Sequence, residues 1–293
     1  MTKLNKAVIP VAGLGTRMLP ATKAIPKEML PVAGKPIIQH IVEEIKEAGF
    51  KEIAFVTHSS KYSIENHFDK SFELEAALDK RIKRSLLKEI KNISKVGISI
   101  HSIRQGEAKG LGHAVLCAKE FVGDDPFAII LPDMLLQSSN RNKNLAQMKK
   151  DFEKNQIPSI LFAKAHKKDI SNYGIARIKK NKESLDLGKV EAIIEKPSLK
   201  KAPSKLFAVG RYIFKSELMD ILSRTKPDQK NEIQLTEAID SYIKNNELVE
   251  GYALDGKVHD CGNKLGYLIA NIEYSKFDPQ IGNDLRKYLN KNV

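Results

Sequence analysis

A strand that runs into a glycine-rich turn opens the chain and constrains its fold more than any other feature. Residues 7–11 form a short apolar run rich in β-branched side chains, which predicts a buried strand of an α/β sheet. The run leads into Gly13-Leu14-Gly15-Thr16-Arg17, where glycines let backbone N–H groups approach a ligand closely. Arg17 and then Lys27 can reach back to neutralise phosphate oxygens. The stretch therefore indicates phosphate chemistry, with a nucleoside triphosphate as the fitting ligand.

Two common glycine motifs do not fit this stretch. A dinucleotide-binding fingerprint, G-x-G-x-x-G, needs a third glycine where this chain has Met18, and Leu19-Pro20 would stop the helix that should follow. A P-loop, G-x-x-x-x-G-K-[ST], is absent because Gly34-Lys35 is followed by Pro36 and lacks the earlier glycine. Taken alone, G-x-G would be an ordinary turn with a solvated arginine and lysine. The rest of the chain has to decide the class of nucleotide site.

The charge balance favours small anionic ligands over nucleic acids. The formal net charge is +13, but the lysines are spread along all 293 residues among acidic ones. Aromatic residues make up 6% and tryptophan is absent, whereas nucleic-acid modules gather arginines and aromatics on one face. We therefore expect no nucleic acid as a partner, and a lysine-rich solvated surface that attracts anionic substrates.

The cysteines and the lengths of the apolar runs indicate in which cellular compartment we expect the protein. Cys117 and Cys261 form no C-x-x-C motif, so we expect reduced thiols and a cytoplasmic protein. No apolar run approaches the roughly 18 residues of a membrane helix, so no membrane partner is expected. The first twelve residues carry two lysines before a short apolar segment, as signal peptides do. Cleavage there would remove the first strand, so we reject that interpretation.

Alternating strands and helices predict the fold class. Apolar residues at helical spacing run from Ile37 to Ala48 and stop at Gly49, a typical residue after a helix end. Further elements are predicted as strands at 53–56, 98–103 and 127–131, and as a helix at 111–121. This order predicts an α/β fold with a Rossmann-like, doubly wound, mostly parallel sheet. Ligands should lie at the carboxyl ends of its strands.

The chain divides into one large domain and a short helical end. We expect a domain over residues 1–262, with a strand-rich part at about 157–262 and a helical insertion at about 71–95. An apolar residue recurs every fourth position of the insertion, at Leu74, Leu78, Ile82, Leu86 and Ile90. This repeat predicts a helix that packs by one stripe on the body. The helical, charged segment 263–293 is a possible oligomer contact.

Two aspartates follow predicted strands and are candidate metal ligands. Asp133 follows the apolar run 127–131 after Pro132, at the sheet edge where ligands lie. Mg²⁺ prefers oxygen ligands and is usually held by one or two carboxylates together with phosphates and waters. Taken alone, Asp133 is explained equally well as a turn residue or a helix-capping residue. Asp260 follows a strand-like segment at 249–254, but spacing alone does not bring the two carboxylates together.

A glycine-rich segment at 104–114, R-Q-G-E-A-K-G-L-G-H-A, follows the strand predicted at 98–103. Its three glycines make a loop that can close on a flat base. The amide of Gln105 presents both a donor and an acceptor, which complement the N3–H and O4 of uracil. We predict that Gln105 reads the base, the alternative being a solvated glutamine on a mobile loop.

Together these elements resemble the signature of the nucleotide-sugar pyrophosphorylases, the sugar-1-phosphate nucleotidyltransferases. The resemblance rests on G-x-G-T-R followed by P-K-E-M-L-P, on L-P-D-M, on the glycine-rich loop, on Y-G-I, on E-K-P and on a late D-x-G. It extends over nearly the whole chain and is strongest for bacterial members that transfer a uridylyl group. It implies that residues 1–262 are the nucleotidyltransferase domain and that 157–262 bind the sugar.

The resemblance also implies roles for individual residues. The implied catalytic residues, which hold the triphosphate or the sugar phosphate, are Arg17, Lys27 and Lys196. The implied nucleotide-binding residues are Ala12, Gly13, Gly15, Gln105, Gly110 and Gly112. The implied sugar-binding residues are Gly174, Glu195, Lys196, Val209 and Gly210. The implied ligands of a Mg²⁺ cofactor are Asp133 and Asp260. Without the family, Glu195 and Lys196 would be equally well explained as a surface ion pair.

The implied reaction joins UTP and glucose 1-phosphate into UDP-glucose and pyrophosphate. A phosphate monoester is largely dianionic at neutral pH, so in-line attack on the α-phosphorus needs no general base and no covalent intermediate. We expect a homo-oligomer. One alternative is a thymidylyltransferase, because Gln105 pairs with thymine as well as with uracil. The other is a non-catalytic protein that binds nucleotide sugars, against which the two aspartates argue.

Overall fold

One mixed sheet runs through the molecule. The computed structural model describes residues 2–81, 83–94, 97–138, 143–179, 187–245 and 248–292. The strands in this part of the chain are β1 (Lys6–Pro10), β2 (Pro31–Val32), β3 (Lys35–Pro36), β4 (Glu52–Thr57), β5 (Ser99–Arg104), β6 (Phe127–Ile130), β7 (Met134–Gln137), β8 (Ser159–Lys164), β9 (Gly174–Lys179), β10 (Gly188–Glu195), β11 (Leu206–Phe214), β12 (Glu250–Ala253) and β13 (Lys257–Asp260). Nine of these described strands form the sheet β5-β4-β1-β6-β11-β8-β12-β10-β9.

Helices cover the sheet and extend beyond it. In the same described residues they are α1 (Ile37–Glu47), α2 (Tyr62–Phe68), α3 (Phe72–Lys80), α4 (Arg84–Ser94), α5 (Gly110–Leu116), α6 (Lys119–Val122), α7 (Asn144–Asn155), α8 (Glu217–Arg224), α9 (Leu235–Lys244), α10 (Lys264–Ser275) and α11 (Gly282–Asn292). The helix predicted over 111–121 is thus divided into α5 and α6. The α/β class is confirmed.

The first half of the sheet is parallel, as predicted. β5, β4, β1 and β6 lie side by side in parallel, with Val8 paired to Ala54 on one side and to Ile129 on the other. All residues of β6 are buried, which explains why its sequence is continuously apolar. Helix α1 buries its isoleucine and valine face against this half, and Gly49 takes a φ of +83° just after it.

The second half of the sheet, formed by strands within residues 157–262, is mixed, so the mostly parallel arrangement expected for the sheet is found in its first half. β11 is antiparallel to β6 and β8, and β10 is antiparallel to β9 and β12; β8 with β12 is the parallel pair. The reason lies in the connections. A parallel neighbour needs a long crossover, usually a helix, and among the described residues between β8 and β11 there is no α-helix.

The insertion is helical, but its apolar stripe is not continuous. The chain forms two helices, α3 and α4, that pack against each other. Leu74 and Leu86 are 44% and 45% exposed, whereas Leu87, outside the predicted stripe, is buried. Ile82 lies outside the described residues. The prediction of one stripe was wrong because α3 ends at Lys80 and a separate helix begins at Arg84, so a spacing of four residues does not carry one face from the first helix to the second.

Helix α10 docks on the β2–β3 hairpin and on β7. Tyr267 Oη donates to the Pro31 carbonyl oxygen at 2.7 Å, and Asn271 Oδ1 accepts from the Ala33 N–H at 3.2 Å. Tyr274 Oη donates to the Leu136 carbonyl oxygen at 2.9 Å. The helix thereby ties the β2–β3 hairpin to β7. Among the described helices, none is both long and apolar enough to span a bilayer.

Candidate active site

The glycine-rich turn after β1 is open where a ligand could approach. A β-carbon on Gly13 would have no atom within 4 Å, whereas one on Gly15 would lie 3.3 Å from Thr22. Gly15 has a φ of +67°, and its carbonyl oxygen accepts from Thr22 Oγ1 at 2.8 Å. Residues 11–30 are all described and contain three 3₁₀ turns but no α-helix. The exclusion of the dinucleotide fingerprint is confirmed, and Ala12 lies half-buried at the entrance of the turn.

Arg17 is exposed in the first of these 3₁₀ turns. Its charge acts on Lys27, Asp133 and Tyr173, so all four side chains face one region. Within the described part of the chain, no hydrogen bond or ion pair holds the Arg17 guanidinium. The group is therefore available to an anionic ligand.

Lys27 contacts the first predicted metal ligand. Its Nζ lies 2.7 Å from Asp133 Oδ2, and the two side chains are 18% and 21% exposed. Burial lowers the pKa of Lys27, but the charges of Asp133 and Glu28 outweigh burial and raise that pKa. Burial likewise raises the pKa of Asp133, but Lys27 outweighs it and holds that pKa below its usual range. Both groups are therefore charged at neutral pH.

Asp133 and Asp260 are brought together by strand pairing that the sequence did not reveal. β7 begins directly after Asp133 and pairs antiparallel with β13, with Met134 opposite Asp260. The Asp133 carbonyl oxygen accepts from the Cys261 N–H at 2.7 Å. A β-carbon on Gly262 would lie 2.9 Å from Asp260 Oδ1 and 3.1 Å from Asp133 Oδ2. Both carboxylates therefore face the same small space, and glycine at 262 keeps it open.

Asp260 is held in place by two donors. The Gly262 N–H donates to its Oδ1 at 2.8 Å, and Tyr173 Oη donates to its Oδ2 at 3.0 Å. The Tyr173 ring stacks on Phe207 with ring centroids 4.5 Å apart. Burial and the Asp260 carboxylate raise the pKa of Tyr173, which keeps the phenol protonated as a donor. Sequence analysis missed this contribution of Tyr173, although its neighbour Gly174 was predicted.

The carboxylate oxygens of Asp133 and Asp260 suit a hard divalent cation. Among the described residues, no group of three or more histidine, cysteine, aspartate or glutamate side chains forms a metal cage. Two carboxylates that need phosphate and water oxygens to complete a coordination shell fit Mg²⁺. Burial, together with both carboxylates, raises the pKa of the neighbouring Cys261 thiol to about 12.

Gln105 is buried at the base of the glycine-rich loop. Its Nε2 donates to the Gly110 carbonyl oxygen at 3.1 Å and to His113 Nδ1 at 3.0 Å. The amide N–H groups therefore hold the loop closed. The predicted contact with a base would then fall to Oε1, which can accept from an N3–H group.

Gly110 and Gly112 have a packing reason to be glycines. A β-carbon on Gly110 would lie 2.9 Å from the Ile233 carbonyl oxygen, and one on Gly112 would lie 2.8 Å from it. The Gly112 N–H donates to that same oxygen at 2.8 Å. Glycine at both positions thus lets the segment before α9 pack closely against the loop, a contact that the sequence analysis did not predict. Their role at the nucleotide stays a prediction.

Three of the predicted sugar-binding positions share one wall. A β-carbon on Gly174 would lie 2.9 Å from Thr236 Cγ2 and 3.6 Å from Glu195 Oε2. Thr236 Oγ1 donates to Glu195 Oε2 at 3.0 Å. Lys196 has a φ of +41°, is 55% exposed and pairs with Glu195 Oε1 at 2.8 Å. Thr236, which sequence analysis missed, completes the wall.

Val209 and Gly210 lie on β11 beside the Asp133 turn, defined here as residues 131–134. The Val209 side chain is wholly buried in the core, so only its backbone can face a ligand. Gly210 has a φ of +80°, and a β-carbon there would lie 2.7 Å from Leu131 Cβ. The register of β11 with β8 shifts between Ala208 and Tyr212, an interval that contains both residues.

The chain is similar to proteins of one family over its full length. The nucleotidyl transferase family model matches residues 6–276. A Haemophilus ducreyi protein named UTP–glucose-1-phosphate uridylyltransferase is 51% identical over 288 residues, 97% of each chain. An Escherichia coli K12 protein of the same name is 49% identical over 300 residues, covering 100% of this chain and 97% of its own.

Solved structures agree with the sequence relatives. UTP-bound UGPase from Acinetobacter baumannii matches with a TM-score of 0.90 and 41% identity, over 99% of this chain and all of its own. A UDP-glucose pyrophosphorylase complexed with UDP-glucose matches with a TM-score of 0.84 and 39% identity, over 93% and 99% of the two chains. A Bacillus anthracis protein described as a putative glucose-1-phosphate thymidylyltransferase, 22% identical at a TM-score of 0.72, shares the fold.

Proposed function

The chain belongs to the nucleotidyl transferase family, and from that premise we propose that it forms UDP-glucose and pyrophosphate from UTP and glucose 1-phosphate. The observation that carries the proposal is the corner where Asp133 and Asp260 face one space beside Lys27. That corner lies in a chain about half identical, over its full length, to uridylyltransferases. A structural relative that binds UTP and another that binds UDP-glucose support the same substrate and product.

Asp133 and Asp260 would hold a Mg²⁺ ion. The ion would supply positive charge to the phosphate oxygens of both substrates, which lowers the electrostatic cost of bringing two polyanions together. The carboxylates contribute through their fixed positions. Lys27 holds Asp133 by an ion pair, and Tyr173 with the Gly262 N–H holds Asp260.

The chemical step needs positioning rather than an acid or a base. An oxygen of glucose 1-phosphate forms a bond to the α-phosphorus of UTP, and the bond from that phosphorus to the bridging oxygen of pyrophosphate breaks. The attacking phosphate carries its negative charge already, because its second pKa lies near 6. Arg17 and Lys27 would hold the triphosphate and stabilise the charge that passes to the leaving pyrophosphate.

The base and the sugar would bind at two further regions of the site. We assign uracil to the loop of Gln105, Gly110 and Gly112, with Gln105 Oε1 as acceptor and Gly13 leaving room for the ring. We assign glucose to the wall of Gly174 and Glu195, with the backbone of Val209 and Gly210 nearby. Lys196 would leave Glu195 to hold the sugar phosphate, a change that its exposure permits.

We propose a homo-oligomer in a reducing, cytoplasmic compartment. Leu265, Leu268 and Ile269 of α10 are 63%, 56% and 43% exposed, an apolar surface that a second copy could cover. Cys117 and Cys261 are free thiols. Light scattering of the full chain would test the assembly, and a monomer at micromolar concentration would contradict it.

A pyrophosphate-release assay tests the function directly. It combines UTP, dTTP, ATP and GTP in turn with several sugar 1-phosphates in the presence of Mg²⁺. We expect the highest kcat/KM for UTP with glucose 1-phosphate. Higher kcat/KM with dTTP would favour a thymidylyltransferase, and UDP-glucose binding without any pyrophosphate release would favour a binding protein.

A further inference from the structure

A buried arginine on an otherwise apolar strand contacts the Asp133 turn. Arg211 lies in β11, whose other residues are mostly apolar, and it is 0% exposed. Its Nε and Nη2 donate to the two carboxylate oxygens of Glu44 at 2.9 and 2.6 Å. Glu44 belongs to α1, on a different part of the chain. Such a bidentate pair fixes the plane of the guanidinium.

The remaining donors of Arg211 bind both ends of the Asp133 turn. Nη1 donates to the Leu131 carbonyl oxygen at 3.1 Å, and Nη2 donates to the Met134 carbonyl oxygen at 2.9 Å. The neighbouring Gly210 carbonyl oxygen accepts from the Leu131 N–H at 2.8 Å. The positive φ of Gly210 and its close approach to Leu131 leave no room for a side chain there. Residues 210 and 211 therefore fix the turn that carries the carboxylate.

The same pair connects the turn to the loop of Lys27. The β2–β3 hairpin separates that loop from helix α1, but the Ile37 N–H at the start of α1 donates to the Leu30 carbonyl oxygen at 3.1 Å, three residues after Lys27. Glu44 is on this helix, so the Glu44–Arg211 pair connects α1, and through it the Lys27 loop, to the turn that bears Asp133. Lys27 Nζ and Asp133 Oδ2 are 2.7 Å apart. A shift of α1 relative to the turn would change that distance.

Stability alone does not explain a buried ion pair at this point. The cost of removing two charges from water often cancels their attraction, and apolar residues of similar volume can replace such pairs without loss of stability. What an apolar pair cannot do is donate hydrogen bonds to the Leu131 and Met134 carbonyl oxygens. The structural consequence specific to Arg211 is thus the conformation of the turn.

We propose that Arg211, oriented by Glu44, is a positioning residue that sets Asp133 for metal and triphosphate. The inference rests on the proposed function, in which Asp133 is a metal ligand. Outer contacts of this kind change metal affinity or activity by about 10- to 100-fold when they are removed from other metal sites. Neither Arg211 nor Glu44 belongs to a sequence motif that was assigned to a substrate.

The experiment compares four forms of the full chain: wild type, Arg211→Lys, Arg211→Met and the double variant Glu44→Leu/Arg211→Met. Mn²⁺ serves as the probe, and its affinity is measured by electron paramagnetic resonance in the presence of UTP without sugar phosphate. Urea unfolding gives the stability of each form. Wild-type UDP-glucose synthesis is assayed separately, so failure of the proposed function is seen in the wild type and failure of this inference in the variants.

We expect Arg211→Met to lose stability, because Glu44 then has no counter-charge. The double variant should recover stability, yet its Mn²⁺ affinity and kcat should remain at least about tenfold below wild type, with the KM for glucose 1-phosphate little changed. Arg211→Lys, which keeps the charge and one or two donors, should lie between. Lys149→Met is the matched control, since Lys149 is also a buried cation paired with a glutamate but contacts Phe50 instead of the turn.

Two outcomes would overturn the inference. One is a stable double variant with wild-type Mn²⁺ affinity and kcat, which would make the pair purely structural. The other is an equal loss of Mn²⁺ affinity in Lys149→Met, which would show that loss of stability at any buried pair accounts for the effect. If Arg211→Met fails to fold, the double variant carries the test.

Discussion

Two regions of the site are built differently, although both carry a lysine next to a carboxylate. The metal corner is formed by Lys27, Asp133 and Asp260, and the sugar wall by Gly174, Glu195, Lys196 and Thr236. At the metal corner, Lys27 and Asp133 are largely buried and come from elements 106 positions apart. At the sugar wall, Lys196 is 55% exposed and pairs with Glu195, its neighbour in sequence. The first pair is fixed by the tertiary fold, whereas the second is a local contact in solvent.

This difference indicates which side of the site is preorganised. Catalysis by electrostatics depends on charges that do not need to move when the substrate arrives. Asp133 and Asp260 meet that condition, because backbone contacts on both strands and Tyr173 hold them. Lys196 does not, because it must exchange Glu195 for a phosphate. We therefore expect substitutions at the metal corner to lower kcat and those at the sugar wall to act mainly on KM.

The largest effect should come from Asp133→Asn. The amide keeps the size of the side chain but removes the charge that would bind the metal, so kcat should fall on the order of 10² or more. Asp220→Asn, which removes an exposed carboxylate paired with Lys119, is the control and should leave turnover unchanged. Pyrophosphate release with Mg²⁺ and UTP is the measurement. Near-normal turnover in a folded Asp133→Asn protein would remove this residue from the metal site.

Two glycine substitutions distinguish the regions by adding one methyl group to each. In Gly262→Ala the new carbon would press on both carboxylates, so kcat should fall roughly tenfold or more while the KM for glucose 1-phosphate changes little. In Gly174→Ala it would press on Thr236 Cγ2, so the KM for glucose 1-phosphate should rise instead. Steady-state kinetics of both variants check this. The same kinetic change in both would mean that the two regions act as one.

A smaller effect should separate the two phosphate-binding cations. Lys196→Ala should weaken glucose 1-phosphate binding about tenfold, the cost of one charged hydrogen bond, and Arg17→Ala should weaken UTP binding by a similar factor. Calorimetry with one substrate at a time measures each affinity. Each variant is the control for the other. If Lys196→Ala lost only UTP affinity, the two phosphate sites would have been assigned the wrong way round.

The smallest effect concerns stability and pH. The pKa of Asp133 is lowered in the folded protein. Its contribution to the free energy of unfolding is therefore present above its unfolded pKa of about 4 and is lost as pH falls through the folded pKa. The raised pKa of Lys27 keeps its contribution complete below about pH 10. The stability difference between wild type and Asp133→Asn, on the order of 1 kcal/mol, should therefore be constant from about pH 5 to 9 and shrink in acid.

Urea unfolding at several pH values measures that difference. Glu195→Gln, at the exposed pair of the sugar wall, is the comparison and should cost well under about 1 kcal/mol. Equal losses of unfolding free energy in Asp133→Asn and Glu195→Gln would show that burial of the metal corner adds no stability. A difference that persists unchanged at about pH 3 would show that it does not arise from the ionisation of Asp133.

The outer contacts of the site were harder to predict than its ligands. Arg211 lies in a run of strand residues, L-F-A-V-G-R-Y-I-F, and a lone charge in such a run is the signal that could have revealed it. Thr236 offered no comparable signal, and Tyr173 was noticed only as part of the Y-G-I motif. Their roles come from which oxygen each hydroxyl reaches, Glu195 Oε2 and Asp260 Oδ2, and that is a property of three dimensions.

The helical insertion shows the same limit in the fold. Its apolar residues recur at a helical spacing, and the helical state was predicted correctly. Which face is buried depends on where one helix ends and the next begins, and in α4 the buried residue is Leu87 and not Leu86. Periodicity describes one uninterrupted helix and carries no information about a reversal.

From the sequence alone came the α/β class, the phosphate-binding turn, the resemblance to nucleotidyltransferases and the two aspartates, because each depends on residues close together in the chain. Only the tertiary structure decided that β11 is antiparallel to β6 and that β7 pairs with β13. This second pairing brings together Asp133 and Asp260, which are 127 positions apart in the chain. Local patterns report the conformation that neighbouring residues prefer. Distances between remote side chains depend on how whole strands and helices pack, and that is settled by the burial of the entire core.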